Sequence, residues 1–153
     1  MKISEFLSPD AVLADLVGAK KREVLEELCA PMAARFPGLG AKRLVEVLEE
    51  REKLGSTGIG ESVAIPHGKL PGLPGLMATF GRSTRGVDFD ALDGKPTHLF
   101  FALFAPESSA GIHLKALARI SRLLKSAQLR EKIMAAADAA QIHALLTGED
   151  ETH

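Results

Sequence analysis

The stretch His98-Leu99-Phe100-Phe101-Ala102-Leu103-Phe104-Ala105 is apolar at every position after its histidine. A strand with one face in water alternates apolar and polar side chains. A run without alternation, closed by Pro106, reads instead as a central strand covered on both faces. That reading calls for helices on two sides of a sheet, and the rest of the chain supplies them.

Upstream, residues 76–83 read as a second strand, with a brief strand at 87–89 between the two. Residues 55–75 carry Gly55, Gly58, Gly60, Gly68, Gly72 and Gly75 with Pro66, Pro71 and Pro74. So much Gly and Pro excludes a long helix and implies short strands joined by tight loops; Val63-Ala64-Ile65, ending at Pro66, is one such strand. Before it, Val24, Leu25, Leu28, Cys29, Met32 and Ala33 recur at steps of three and four, which predicts a helix over 20–35, kinked or broken at Pro31. A second helix is expected at 41–52, with Leu44, Val45, Val47 and Leu48 inward, and a first strand at 12–17. Downstream of Pro106, the spacing of Leu114, Leu117, Ile120, Leu123 and Leu124 predicts a helix, with shorter ones at 129–137 and 139–146. Residues 148–153 read as a frayed polar tail. The fold class is α/β, a sheet sandwiched between helices in a single domain.

Bulk properties remove several functions. The 153 residues suit one domain, and a formal charge of -1 gives no general attraction to nucleic acid or to an anionic membrane. The lone Cys29 forms no internal disulfide and sits on the apolar side of its helix, where a packed thiol is expected. With neither a secretory signal nor a ~20-residue apolar span, a cytoplasmic location is expected.

Five histidines are present. His98, His143 and His153 read as strand-end, helix and tail residues. His67 follows an apolar strand, with Pro66 stiffening its approach and Gly68 leaving room for backbone close to whatever the imidazole carries. Strand ends in α/β sheets point into the crevice that holds ligands. His113 lies in the first turn of the helix after Pro106, where free N–H groups favour an anion; an exposed first-turn residue is the bland alternative. Arg51 is either a helix-end charge or a guanidinium fork for an anion. Ser56 and Thr57 either donate to such an anion or cap the loop.

Asp88, Asp90 and Asp93 resemble part of a calcium loop, but Leu99 stands where its closing glutamate belongs, so turn carboxylates are the better account. No Cys/His pair has zinc spacing, and Val63 breaks a dinucleotide fingerprint at Gly58-x-Gly60. No metal and no cofactor is expected.

Three ordered blocks resemble one family. Ser56-Thr57-Gly58-Ile59-Gly60-Glu61-Ser62-Val63-Ala64-Ile65-Pro66-His67-Gly68-Lys69 is similar to the active-site segment of type-2 enzyme IIA domains of the bacterial phosphotransferase system. Gly86-Val87-Asp88-Phe89-Asp90-Ala91 with Asp93-Gly94-Lys95-Pro96, and His113-Leu114-Lys115-Ala116-Leu117-Ala118 through Ser121-Arg122-Leu123-Leu124, resemble a second and a third block. The resemblance implies a mixed sheet between helices, with the domain at 1–147 and the tail at 148–153. It matches His67 to the phosphorylated histidine, His113 to the histidine supporting the phosphoryl group, and Arg51 to the arginine before the Ser-Thr-Gly segment. Glu61-Ser62 stand where many members have Asn-Gly, which narrows the loop's conformational choices and adds negative charge near an anion site. The opening, Ile3-Ser4-Glu5-Phe6-Leu7-Ser8-Pro9-Asp10, resembles the nitrogen-regulatory subgroup.

The implied donor is a phosphohistidine on a small HPr-like phosphocarrier protein, attacked by Nε2 of His67, with regulatory protein targets downstream. An apolar rim of Ile59, Phe104 and Ile112 is expected to dock the carrier. Two rival readings are a sugar-specific IIA component feeding a fructose- or mannitol-type permease, and a metal-dependent hydrolase using His67, His113 and one aspartate.

Overall fold

The computed structural model describes residues 1–152, so His153 lies outside the described residues. The strands are β1 (Val12–Leu13), β2 (Gly58–Gly60), β3 (Val63–Ala64), β4 (His67–Leu70), β5 (Met77–Val87) and β6 (Thr97–Pro106). The helices are α1 (Lys21–Arg35), α2 (Ala41–Lys53), α3 (Ala110–Leu124), α4 (Ala127–Ala135) and α5 (Ala139–Glu151), after short 3-10 turns at Ile3–Glu5 and Pro9–Ala11. The sheet runs β1-β5-β6-β3-β2, with β4 also on β6. It is mixed: β1 lies parallel to β5, β5 antiparallel to β6, β3 and β4 parallel to β6, and β2 antiparallel to β3.

β6 is the covered central strand that its composition demands. Leu99, Phe101 and Leu103 pack with Ile120, Leu124, Ile133, Ile142 and Leu146 of α3–α5. Phe100, Ala102 and Phe104 point the other way, onto Val24, Leu25, Leu28, Val45 and Leu48 of α1 and α2. Three phenylalanines fully removed from water, at ~1.5–3 kcal/mol each, make this strand the energetic axis of the fold.

Several local expectations are corrected. Helix α1 continues unbroken through Pro31. The proline forfeits a backbone bond and clashes with the previous turn, at a cost of ~3 kcal/mol. Burial of Val24, Leu25, Leu28, Cys29 and Met32 on the same helix outweighs that cost. The first strand stops at Leu13 because Arg82, almost wholly buried, inserts its side chain and donates Nε–H to the Ala14 carbonyl (2.9 Å). The separate strand at 87–89 is absent: β5 reaches Val87 through an irregularity after Arg82, and Phe89 falls outside it. Residues 148–151 are the last turn of α5 and not a frayed tail. Asp150 is buried there, accepting from the Ile3 amide (2.8 Å) and Arg119 Nε (2.6 Å), so the two ends of the chain are tied together.

β3 and β4 are one strand interrupted at Ile65–Pro66. Val63 faces Leu99 and His67 faces Leu103, so the register on β6 passes through the interruption unchanged. His67 therefore opens a strand and does not terminate one. The space beside Gly68 is not kept for a ligand: a Cβ there would lie 2.4 Å from Val47 Cγ1, so the glycine lets α2 rest on β4.

The hairpin joining β2 to β3 turns on Glu61 and Ser62, whose φ angles are 54° and 70°. Two successive positive φ values mark a type I′ turn, which favours Asn-Gly. Ser62 carries a Cβ in the left-handed region at a cost of about 1 kcal/mol. Ser62→Gly is expected to raise stability by about that amount, seen as a Tm rise of ~2–4 °C in a thermal melt.

Candidate active site

His67, His113 and Arg51 come together in one crevice of about 490 Å³, lined also by Val47, Leu54, Lys69 and Leu114. It lies between α2, β4 and the start of α3. Strand alternation puts His67 and Lys69 on one side of β4, while Leu70 joins the core beneath α2.

The His67 imidazole is half-buried, and its Nδ1 lies 2.7 Å from the Ile65 carbonyl oxygen. A carbonyl only accepts, so Nδ1 carries the hydrogen and donates it. In the neutral ring Nε2 then keeps its lone pair. Burial is the main influence pulling the His67 pKa below the ordinary imidazole value; the nearby Arg51 adds to it, while the bond to Ile65 and the Glu52 charge oppose it. The neutral, nucleophilic form is thus favoured at neutral pH.

His113 is the fourth residue of α3 and is only 6% exposed, rather than a solvent-facing first-turn residue. Its ring meets His67 edge-on, 5.5 Å between centroids at an interplanar angle of 74°. Its Nε2 is buried and has no hydrogen-bond partner among the described residues. Such a group costs roughly 1–3 kcal/mol, which a fold retains when the group serves something else. Burial first, then the proximity of His67 and Lys69, lowers the His113 pKa to about 4.

That depression has a consequence for stability. Below the ordinary imidazole value of 6.5 the unfolded chain takes up a proton that folded His113 refuses, so the folded state loses ground as pH falls from 6.5 towards about 4. Urea unfolding across this window is expected to show a shallower pH slope for His113→Gln than for the parent chain.

Arg51 donates to the Gly55 carbonyl (2.9 Å), closing the end of α2, and lines the crevice at the same time. Ser56 and Thr57 do not line it. The Ser56 hydroxyl donates to the Phe89 carbonyl (2.7 Å) and accepts from the Gly58 amide (3.0 Å). The Thr57 hydroxyl donates to the Glu52 carboxylate. Both are committed to holding the loop, the alternative their position had left open.

The expected apolar rim needs revision. Ile59 and Ile112 are exposed, but Phe104 is fully buried under α2. Leu54 and Leu114, 84% and 68% exposed, border the crevice instead. Leu54 lies just beyond the end of α2, whereas Leu114 belongs to the apolar spacing from which α3 was read, and only the structure shows that it faces outward. Glu61 does not charge the site, for its carboxylate faces Arg130 of α4 (3.4 Å). Asp93 accepts from the amides of Glu61 and Lys95 (both 3.0 Å), and Asp90 pairs with Lys21 (3.1 Å), so these carboxylates brace loops. Among the described residues no three His, Cys, Asp or Glu side chains converge as metal ligands would. The Cys29 thiol is buried and its pKa pushed up to about 12, which leaves it inert.

Fold and crevice together describe a single-domain α/β protein with a pair of imidazoles facing each other in a crevice beside α2, β4 and α3. The chain belongs to the EIIA 2 family of the phosphoenolpyruvate-dependent sugar phosphotransferase system, whose model matches residues 5–148. It is 44% identical over 146 residues to a nitrogen regulatory protein of Bradyrhizobium diazoefficiens, covering 95% of each chain. It is also 35% identical over 136 residues to the fructose-specific EIIABC component of Bacillus subtilis, covering 89% of this chain and 21% of that one. The crystal structure of nitrogen regulatory protein IIA-Ntr from Neisseria meningitidis superposes with a TM-score of 0.88 at 36% identity, covering 95% of this chain and 99% of that one. No helix among the described residues is long and apolar enough to cross a membrane.

Proposed function

We propose that this chain is a regulatory phosphocarrier of the nitrogen-related phosphotransferase branch, taking a phosphoryl group onto Nε2 of His67 from the phosphohistidine of an HPr-like carrier. The observation that carries the reading is the bond from Nδ1–H of His67 to the Ile65 carbonyl, beside the unpartnered Nε2 of His113. The Nε2 lone pair attacks phosphorus in line, a P–N bond forms, and the donor's P–N bond breaks with its electron pair returning to the donor imidazole. Little covalent assistance is needed, so positioning and charge stabilisation dominate.

The phosphoryl group brings ~1.5–2 negative charges, taking phosphoesters as a guide. His113, whose ring faces His67, meets them by donating from Nε2, with Arg51, Lys69 and the first-turn amides of α3 around the crevice. Leu54 and Leu114 form the apolar border of the crevice, and with the exposed Ile112 of α3 they are the surface on which a carrier docks and excludes water. Ser56 and Thr57 act indirectly, by holding the loop. The carrier and regulatory protein targets are the partners this implies, and the cytoplasm is the compartment.

A sugar-specific role shares this chemistry and is the second reading, favoured by the likeness to the Bacillus subtilis fructose component. Incubation with phosphoenolpyruvate, enzyme I and the carrier tests the proposal: an acid-labile label on this chain is expected. Chase with a fructose- or mannitol-type IIB domain separates the two roles. Rapid loss of label to IIB supports the sugar reading, and retention supports the regulatory one.

A further inference from the structure

Helix α2 ends in Arg51-Glu52-Lys53, and its glutamate has an unusual setting. The Glu52 side chain is only 5% exposed and pairs with Lys21 Nζ at the start of α1 (3.0 Å). Lys21 also pairs with Asp90 (3.1 Å) and lies 4.7 Å from the centre of the Phe89 ring. Both Glu52 oxygens accept from the Thr57 amide (3.2 Å each), and the Thr57 hydroxyl donates to the same carboxylate.

From Thr57 the connection continues. Its carbonyl accepts the Ile65 amide (3.0 Å), and the Ile65 carbonyl accepts Nδ1–H of His67 (2.7 Å). A hydrogen-bonded line therefore runs from Lys21 through Glu52, Thr57 and Ile65 to the imidazole, joining α1, α2 and the interrupted strand. A desolvated carboxylate with several donors around it is costly to form and stiff once satisfied.

We infer that Glu52 is a positioning residue for His67: by clamping Thr57 it fixes the Ile65 carbonyl, which holds the ring in the Nδ1–H form with Nε2 free. Glu52 touches neither the phosphoryl group nor the carrier: it acts on the ring's tautomer through the backbone of 57 and 65, and on the ring's titration through the charge of its carboxylate. The inference deepens the phosphocarrier reading and rests on it for its purpose. The clamp itself is measurable on the unphosphorylated chain. The charged or titratable groups around the His67 ring and its crevice are Glu50, Arg51 and Glu52 from α2, Lys69 from β4 and His113 from α3.

The test is long-range 1H–15N NMR of the imidazoles in the parent chain and in Glu52→Gln, which keeps shape and loses charge. The parent should show His67 almost wholly as the Nδ1–H tautomer. Glu52→Gln should raise the Nε2–H form several-fold, move the His67 titration to lower pH as a nearby negative charge is removed, and slow phosphoryl uptake about tenfold, the scale of a small misplacement of a reacting group. A folded Glu52→Gln with the parent's tautomer ratio and titration overturns the inference. Thr57→Val, which deletes one hydroxyl and leaves every charge, is measured alongside. It should shift the tautomer in the same direction, and it decides the question if Glu52→Gln fails to fold: an unaltered His67 ring in Thr57→Val then overturns the clamp. A tautomer shift in Glu52→Gln or Thr57→Val, together with a parent chain that never accepts phosphate, upholds the clamp while sinking the phosphocarrier reading.

Discussion

Replacing His67 by alanine is expected to abolish phosphoryl uptake from the carrier, with label falling to background, and to leave the helical circular dichroism of the chain unchanged. The asymmetry follows from where the ring sits. Its half-buried side chain belongs to the crevice and to neither apolar core, so folding does not depend on it. Nucleophilic capacity, by contrast, has no substitute nearby. The Nε2 of His113 is buried, and the ring is held neutral with a pKa near 4 in a position that suits donation more than attack. Lys69 is a neighbouring amine, but a protonated one has no lone pair to offer. Phosphate counting with purified enzyme I and carrier checks this, and label on the alanine variant at the parent's rate removes His67 from its assigned role.

His113→Ala is expected to slow transfer by about 10²–10³-fold without abolishing acceptance, the usual effect of deleting one donor aimed at developing negative charge. The nucleophile, its Ile65 anchor and Arg51 all survive the change, which is why a residual rate remains. Single-turnover transfer from phosphorylated carrier measures it. A rate within twofold of the parent would mean that the orphaned Nε2 of His113 serves something other than the phosphoryl group.

The two predictions separate attack from charge stabilisation, a division that could be read from the sequence in outline. An apolar strand without alternation announced a central strand, and the family resemblance of the segments around His67 and His113 implied that the two histidines work together; spacing alone had left His113 open. What could not be read was decided by partners far away in the chain. Pro31 continues a helix because the sheet beneath it supplies more than the proline takes away. Asp150 is internal because its donors are Ile3 and Arg119. Nothing in the spacing of the second helix marks Glu52 as enclosed, and only the approach of Lys21 and Thr57 shows it.

The loop before the histidine illustrates the same limit at short range. Ser56 and Thr57 had two readings of similar standing, as anion donors or as loop caps. The Phe89 carbonyl and the Glu52 carboxylate, which no spacing rule foretells, take up both hydroxyls. Glu61-Ser62 was partly legible, since replacing Asn-Gly at a tight turn implies strain. The direction of the Glu61 side chain, towards Arg130 and away from the crevice, was not.

One nitrogen, Nε2 of His67, decides the chemistry proposed for this protein. The most direct measurement is 15N–31P coupling in the imidazole-labelled, carrier-phosphorylated protein. The structure-based expectation is a phosphorus coupled to Nε2 of His67 alone, with Nδ1 of the same ring still protonated against the Ile65 carbonyl. Phosphorus on Nδ1 of His67, or on any other side chain, would contradict it.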